Sequence, residues 1–248
     1  MADLGASPFT ISATAAYTIP WGVENIQVAC RGGGAGGGEK YLFGPGGGGG
    51  GAYAKRNSIR VIPGKSYTFT VGAQVASYTA GNLTTFVGED LTCTAAGGSI
   101  PTGASLKVGG LGGTTAASVG DVLYAGGQGG SNPSGKLPGG GGGEGGGSSA
   151  TGGIGGDPTA VAGGLGGTGT DGGDGGAGGV SGANGNPGNV PGGGGGGAGS
   201  GALKVGGTGA AGQIVVTYSA QGRSFGGGVA AAGSMGFSLL MTVLRCLF

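Results

Sequence analysis

The chain contains no histidine among its 248 residues. That absence removes the commonest general base, the usual serine triad and most zinc sites. Charge is scarce too: 11 Lys+Arg nearly balance 10 Asp+Glu, for a formal net charge of +1. A nucleic-acid binder needs a basic stripe, and here seven Tyr, seven Phe and one Trp are scattered rather than interleaved with arginine. Proline, at 10 residues, is too sparse for a collagen triple helix, which takes about 15–20% or more. Cys30, Cys93 and Cys246 are odd in number and far apart, which fits neither a metal cluster nor a disulfide framework. The opening MADLGASPFT has no basic segment and no apolar one. No ordinary secretory signal is expected from it, so release by another route, such as cell lysis, is implied. The expectation is a protein without catalysis, cofactor or metal.

What is abundant is glycine, at 76 residues. Composition of this kind gives disorder by default, but the register argues for order. From Gly163 to Val180 the chain reads GGLGGTGTDGGDGGAGGV. Glycine fills every third position, at Gly163, Gly166, Gly169, Gly172, Gly175 and Gly178, and a second column broken only by Thr170. A flexible linker has no use for a period of three. A polyproline-II-type helix does, because it turns once per three residues at about 3.1 Å per residue. Two bare columns let neighbouring helices pack backbone to backbone, so these six glycines are the expected packing positions. Glycine loses the most freedom on ordering, and side-chain burial is absent, so main-chain hydrogen bonds must hold such a bundle.

Apolar alternation marks the rest. Tyr17 and Ile19, a turn at Pro20-Trp21-Gly22, then Ile26, Val28 and Cys30 predict a β-hairpin. Ile59 and Val61, a turn at Pro63-Gly64, then Tyr67, Phe69 and Val71 predict a second. Shorter strands are expected at Thr84–Val87, Leu91–Thr94, Leu106–Val108 and Val122–Ala125, and a last one through Ile214, Val216 and Tyr218. Residues 1–16 read as an arm, 17–220 as one glycine-rich domain and 221–248 as an apolar segment. Within 126–212, tips are expected at Ser131–Pro138, Asp157–Ala162, Asn184–Pro191 and Ala202–Val205. A structureless linker of that length would far exceed ordinary loops.

The run YTIPWGVENIQVACRGGGAGGG, then GPGGGGGGAYAKRNSIRVIPGKSYTFTVG, then glycine tracts and GQIVVTY, resembles the glycine-rich domain common in bacteriophage tail and fibre proteins. The resemblance covers roughly residues 9–220, and AYAK…VIPGKSYTFTVG is its most specific part. The interior also looks like the polyglycine-helix bundle of distal tail-fibre adhesins in T-even-like phages, where loops at one end touch the host. The resemblance implies a virion protein, found in the extracellular particle, with a binding or structural role. Its implied partners are copies of itself, other virion proteins, and a host surface glycan or outer-membrane protein. The C-terminal tail falls outside that pattern.

That tail has 19 uncharged residues from Gly226 to Leu244, nominally enough to cross a bilayer. Its strongly apolar part carries Phe237, Leu239, Leu240, Val243 and Leu244. Docking into a protein neighbour, membrane anchoring and a processed end all remain open readings. Candidate receptor contacts are the residues that interrupt glycine runs: Tyr41, Leu42, Phe43, Lys136, Leu137, Asn184 and Asn186. The bland reading of the same residues is connections packing on one another.

Apparent motifs dissolve on inspection. Gly64-Lys65-Ser66 lacks the phosphate-loop glycine, which is Ile59. GGTGTD at Gly166–Asp171 is half of one calcium nonapeptide with no tandem copy, leaving Asp171 and Asp174 as solvated side chains. Asn82-Leu83-Thr84 is a glycosylation sequon with no secretory route to give it meaning. Ice binding would need a flatter, richer array than Thr168, Thr170 and Ala177. The expected fold is therefore mainly β, a small antiparallel sandwich joined to polyglycine-II helices. The expected role is attachment or, alternatively, a structural fibril subunit.

Overall fold

The computed structural model describes residues 2–39 and 42–219. It is mainly β. Among the described residues there are ten short strands, and several alternate buried and more exposed residues, as a half-buried pleat requires. They are β1 Ala2–Asp3, β2 Phe9–Ile11, β3 Ala15–Thr18, β4 Asn25–Arg31, β5 Tyr53–Arg60, β6 Ser66–Thr70, β7 Thr84–Val87, β8 Thr92–Ala95, β9 Val122–Tyr124 and β10 Gln213–Thr217. They make two five-stranded sheets, ordered β1-β3-β6-β7-β8 and β2-β10-β4-β5-β9. Pairing is antiparallel except between β1 and β3. The sheets share one apolar core, which includes Ile19, Val28, Ile59, Phe69, Phe86 and Ile214.

Both expected hairpins turn out to be arches between sheets. β3 pairs with β6 while β4 pairs with β10 and β5, so Pro20-Trp21-Gly22 carries the chain from one sheet to the other. The Pro63-Gly64 turn forms, with Gly64 at φ 77° and Lys65 N donating to Ile62 O at 3.1 Å, but it too joins opposite sheets. The reason lies in the apolar faces. Ile19, Ile26, Ile59 and Phe69 are all fully buried, and two strands that face each other across a core bury more than two side by side. Residues read as an arm supply β1 and β2, with Leu4 and Ile11 in the core. The strand expected at Leu106–Val108 is instead a single 3₁₀ turn, Ala104–Leu106, beside an isolated bridge between Thr102 and Val108.

Where side chains vanish, the strands run on as extended tracts bonded differently. In 32–38 successive amides turn to three neighbours in rotation. Gly32, Ala35 and Gly38 donate to Ala52, Gly49 and Gly46; Gly33 and Gly36 to Asn82 and Thr79; Gly34 and Gly37 to Ala210 and Gly207. The tract 139–147 repeats the scheme. Gly139, Gly142 and Gly145 donate to Gly179, Gly176 and Gly173; Gly140, Gly143 and Gly146 to Pro45, Gly48 and Gly51; Gly141, Glu144 and Gly147 to Gly156, Gly153 and Ala150. Its carbonyls accept from 127–130, 164–167 and 194–197, so six tracts surround it. The buried main chain thus meets its hydrogen-bonding requirement without a sheet ladder.

The stretch 163–180 is two tracts rather than one. Gly178 N donates to Gly164 O and Gly175 N to Gly167 O, so 163–169 and 173–179 run antiparallel around a bend at Thr170–Gly172. The period of three passes through this reversal intact. Residues of the first glycine column are half-buried (Gly169 excepted), the glycines of the second buried, and Leu165, Thr168, Asp174 and Val180 of the third exposed. A Cβ at Gly163, Gly166, Gly172, Gly175 or Gly178 would run into the carbonyl oxygen of Gly178, Gly175, Gly145, Gly142 or Gly139, and one at Gly169 into the Glu144 carboxylate. The segment Asn184–Pro191, expected as a tip, is itself a bonded tract: Gly185 and Gly188 donate to Val205 and Thr208, Asn186 and Asn189 to Ala177 and Asp174.

Candidate functional site

The tracts leave the sandwich at one end and turn back at the other, so their loops collect far from the sheets. Asn132 is the hub of this distal cluster. It is 1% exposed, and its side-chain amide donates to Gly44 O at 2.6 Å and Lys136 O at 2.7 Å, while its Oδ1 accepts from Lys136 N at 2.9 Å. Neighbouring loops are stitched to it. Asn132 N donates to Lys107 O, Ser131 N to Asp157 Oδ1, Lys136 Nζ to Pro158 O, and Ser200 N to Leu137 O, each at 2.7 Å. Gly182 N reaches Ser200 O at 2.8 Å, and Ser77 Oγ donates to Glu39 Oε1 at 2.7 Å.

Aliphatic side chains stand out from this framework: Leu42, Val161 and Leu203 are 81%, 83% and 82% exposed. Backbone strain gathers here as well. Among the described residues the non-glycine positions with positive φ are Tyr78 (50°), Ser105 (57°), Leu106 (55°) and Leu203 (63°), and all lie on these loops. An L-residue in that region costs about 1–2 kcal/mol, a strain that accumulates where surrounding structure over-determines it, often at functional sites.

All the expected contact residues but Tyr41 have a definite place. Leu42 and Leu137 are exposed in the cluster. Phe43 is half-buried, with Lys107 Nζ 4.9 Å over its ring. Lys136 spends its ammonium on Pro158 O. Asn184 borders the cluster, its Oδ1 accepting from Val205 N at 3.2 Å. Asn186 lies along the flank in its tract, apart from the loops. Tyr41 falls outside the described residues, as do Phe237, Leu239, Leu240, Val243 and Leu244 of the tail.

A second polar group sits where sandwich meets glycine. Arg31, 9% exposed at the end of β4, donates to Asp171 Oδ2 at 2.8 Å and lies 5.3 Å over the Tyr53 ring. Asp171, read as solvated, is thus an ion-pair partner, and it also accepts from Ser148 N at 2.6 Å; Asp174 is exposed. Burial pushes the Asp171 carboxyl up, but hydrogen bonding to Ser148 and the Arg31 charge outweigh it and hold it below the usual value. Glu144, 1% exposed, accepts from Gly153 N at 2.6 Å and fills the space beside Gly169. The Arg31–Asp171 pair clamps the tracts to the sandwich, and Glu144 ties tracts to one another. Among the described residues no three His, Cys, Asp or Glu side chains group as metal ligands, and no helix is long and apolar enough to cross a membrane.

The sequence carried traces of what was missed. Glu144 is the single charge inside an unbroken glycine run, and Asn132 precedes a proline in an otherwise small-residue loop. The Arg31–Asp171 pair and the meeting of Cys30 with Cys93 left no local signal.

A two-sheet β protein whose strands continue into hydrogen-bonded glycine tracts is the class that this architecture defines. The chain belongs to the glycine-rich domain family, whose model matches residues 10–219. No curated protein matches it at a significant level.

Proposed function

We propose that this is a non-enzymatic virion protein, a fibre or tail-tip component of a bacteriophage, whose glycine tracts form a rigid bundle of polyglycine-II helices and whose distal loops contact the host. The three-residue rotation of hydrogen bonds in 32–38 and 139–147 supports the helical reading, because a turn of three residues sends every third amide to the same neighbour. The observation that carries the attachment role is the distal cluster itself. Exposed Leu42, Val161 and Leu203 stand on loops that Asn132 and its neighbours Ser131, Lys136 and Leu137 tie together over a scaffold held by main-chain bonds, and Leu203 itself holds a positive φ. Loops on rigid scaffolds are where binding concentrates.

The test is adsorption competition with the purified full chain on the cognate host. It should slow phage adsorption, and a variant with Leu42→Asp and Leu203→Asp should not, while melting as the parent does. Undiminished competition by that variant would remove the distal loops from the role. No competition by either protein would favour a structural subunit. For that second reading the favouring observation is the exposure of apolar Ile154, Leu165 and Val190 on the outer tracts, suited to lateral contact with a copy of the chain.

A further inference from the structure

Face-to-face sheets ordinarily stand about 10 Å apart. Here they converge. A Cβ at Gly32, just past β4, would run into the carbonyl oxygen of Ala96, just past β8, and Ala52 N donates to that same oxygen at 2.8 Å. The space between the sheets therefore narrows from side-chain contact to backbone contact as the strands enter the glycine tracts.

Cys30 on β4 and Cys93 on β8 stand in that taper, both fully buried. Cys93 Sγ lies 3.5 Å from the carbonyl oxygens of Val28 and Ala54 in the opposite sheet, and Cys30 Sγ lies 3.8 Å from the carbonyl oxygen of Cys93. Ala54 is the ladder partner of Cys30, so the sulfur of Cys93 reaches the place from which Cys30 rises. A disulfide needs Cα atoms about 4.4–6.8 Å apart, closer than an ordinary sandwich brings its two layers. Convergence of the sheets draws the two layers together toward that range at this end, and small neighbours, Ala54 and Ala95, keep the space clear.

We propose that Cys30 and Cys93 are a cross-linking site, joined by an inter-sheet disulfide when the protein folds in the presence of a small-molecule disulfide such as oxidised glutathione. Either cysteine, Cys93 for example, can act as the first nucleophile. The Cys93 thiolate attacks one sulfur of the small disulfide and expels one thiolate, leaving a mixed disulfide on Cys93. Cys30 then gives its proton to solvent, attacks the Cys93 sulfur and expels the second thiolate. Two protein thiols are oxidised and one small disulfide is reduced to two thiols. Because both sulfurs are buried in the closed sandwich, exchange takes place before β8 closes over β4. The cross-link closes a separation of 63 residues between the sheets.

The experiment uses the full chain carrying Cys246→Ser, refolded from denaturant either in a glutathione redox buffer or in excess reductant. Free thiols are then alkylated under denaturing conditions and the peptides mapped by mass. The oxidised sample should give a Cys30 peptide joined to a Cys93 peptide, with neither residue alkylated. Its melting temperature should rise by on the order of 10 °C, and the rise should disappear on reduction. A Cys30→Ala variant that keeps its β circular dichroism should show no such oxidant-dependent rise. Full alkylation of both cysteines in natively folded, oxidised protein would overturn the proposal. So would a linked pair that lowers the melting temperature.

Discussion

Phe69 and Gly50 lie in two different kinds of interior. Phe69 stacks on Phe86 with ring centroids 4.4 Å apart, inside a core of branched aliphatics. Gly50 donates to Gly127 O at 2.9 Å and accepts from Gly113 N at 2.8 Å, with backbone on every side. In the first, water is excluded by apolar area, about 1.5–3 kcal/mol for each large side chain buried. In the second, each amide bond contributes only about 0.5–1.5 kcal/mol net, but nearly every residue makes one and no side chain has to be ordered. The two meet the same demand, a filled interior whose polar groups are paired (Arg31 Nε at the seam excepted), and they fail in opposite ways. A sandwich is hurt by removing atoms, a glycine layer by adding them.

The largest expected effect follows from that asymmetry. Gly50→Ala would drive a Cβ into the carbonyl oxygen of Glu144. The resulting shift disturbs hydrogen bonds to several tracts at once, for a loss of about 4 kcal/mol or more. Ile59→Val removes one methylene from the fully buried side of the sandwich and should cost about 1 kcal/mol. Denaturant titration of both variants measures the contrast, and equal losses would erase the distinction between the two interiors.

Acid should loosen the seam between them. The Asp171 carboxyl is held below its usual value in the folded protein, so its contribution is present above the unfolded carboxylate pKa of about 4 and is lost as pH falls through the lower folded value. Melting temperature should therefore drop below about pH 4, and drop less steeply in Asp171→Asn. An unchanged acid limb in that variant would detach Asp171 from the seam. The smallest effect belongs to the distal loops. Leu203→Gly relieves a φ of 63° at an exposed site by more than the chain entropy that glycine adds, so denaturant titration should show a gain of about 0.5 kcal/mol, and a loss would mean that Leu203 is not strained.

Strand positions were readable from the chain because alternation reports a buried face directly: Ile26, Val28 and Cys30 are all buried, as are Tyr67 and Phe69. Partnership was not readable. A Pro-Gly turn looks alike whether it closes a hairpin or vaults between sheets, and only the company of the other buried faces decides it. The period of three in 163–180 was legible for the same reason as the alternation, since it records which side faces a neighbour. It could not reveal the reversal at Thr170–Gly172, because an antiparallel tract resumes the same register. Leu42 and Leu137 were visible as interruptions of glycine runs. Asn132, which gathers their loops, acts through backbone groups distant in sequence, at Gly44 for example, and such contacts leave no local pattern.

Amide hydrogen exchange resolved over 139–147 and β4 tests the central claim most directly. If main chains hold one another in the glycine layers, Gly140, Gly143 and Gly146 should exchange as slowly as Val28 and Cys30, in one cooperative unit. Exchange of those glycines at random-coil rates while β4 stays protected would contradict it.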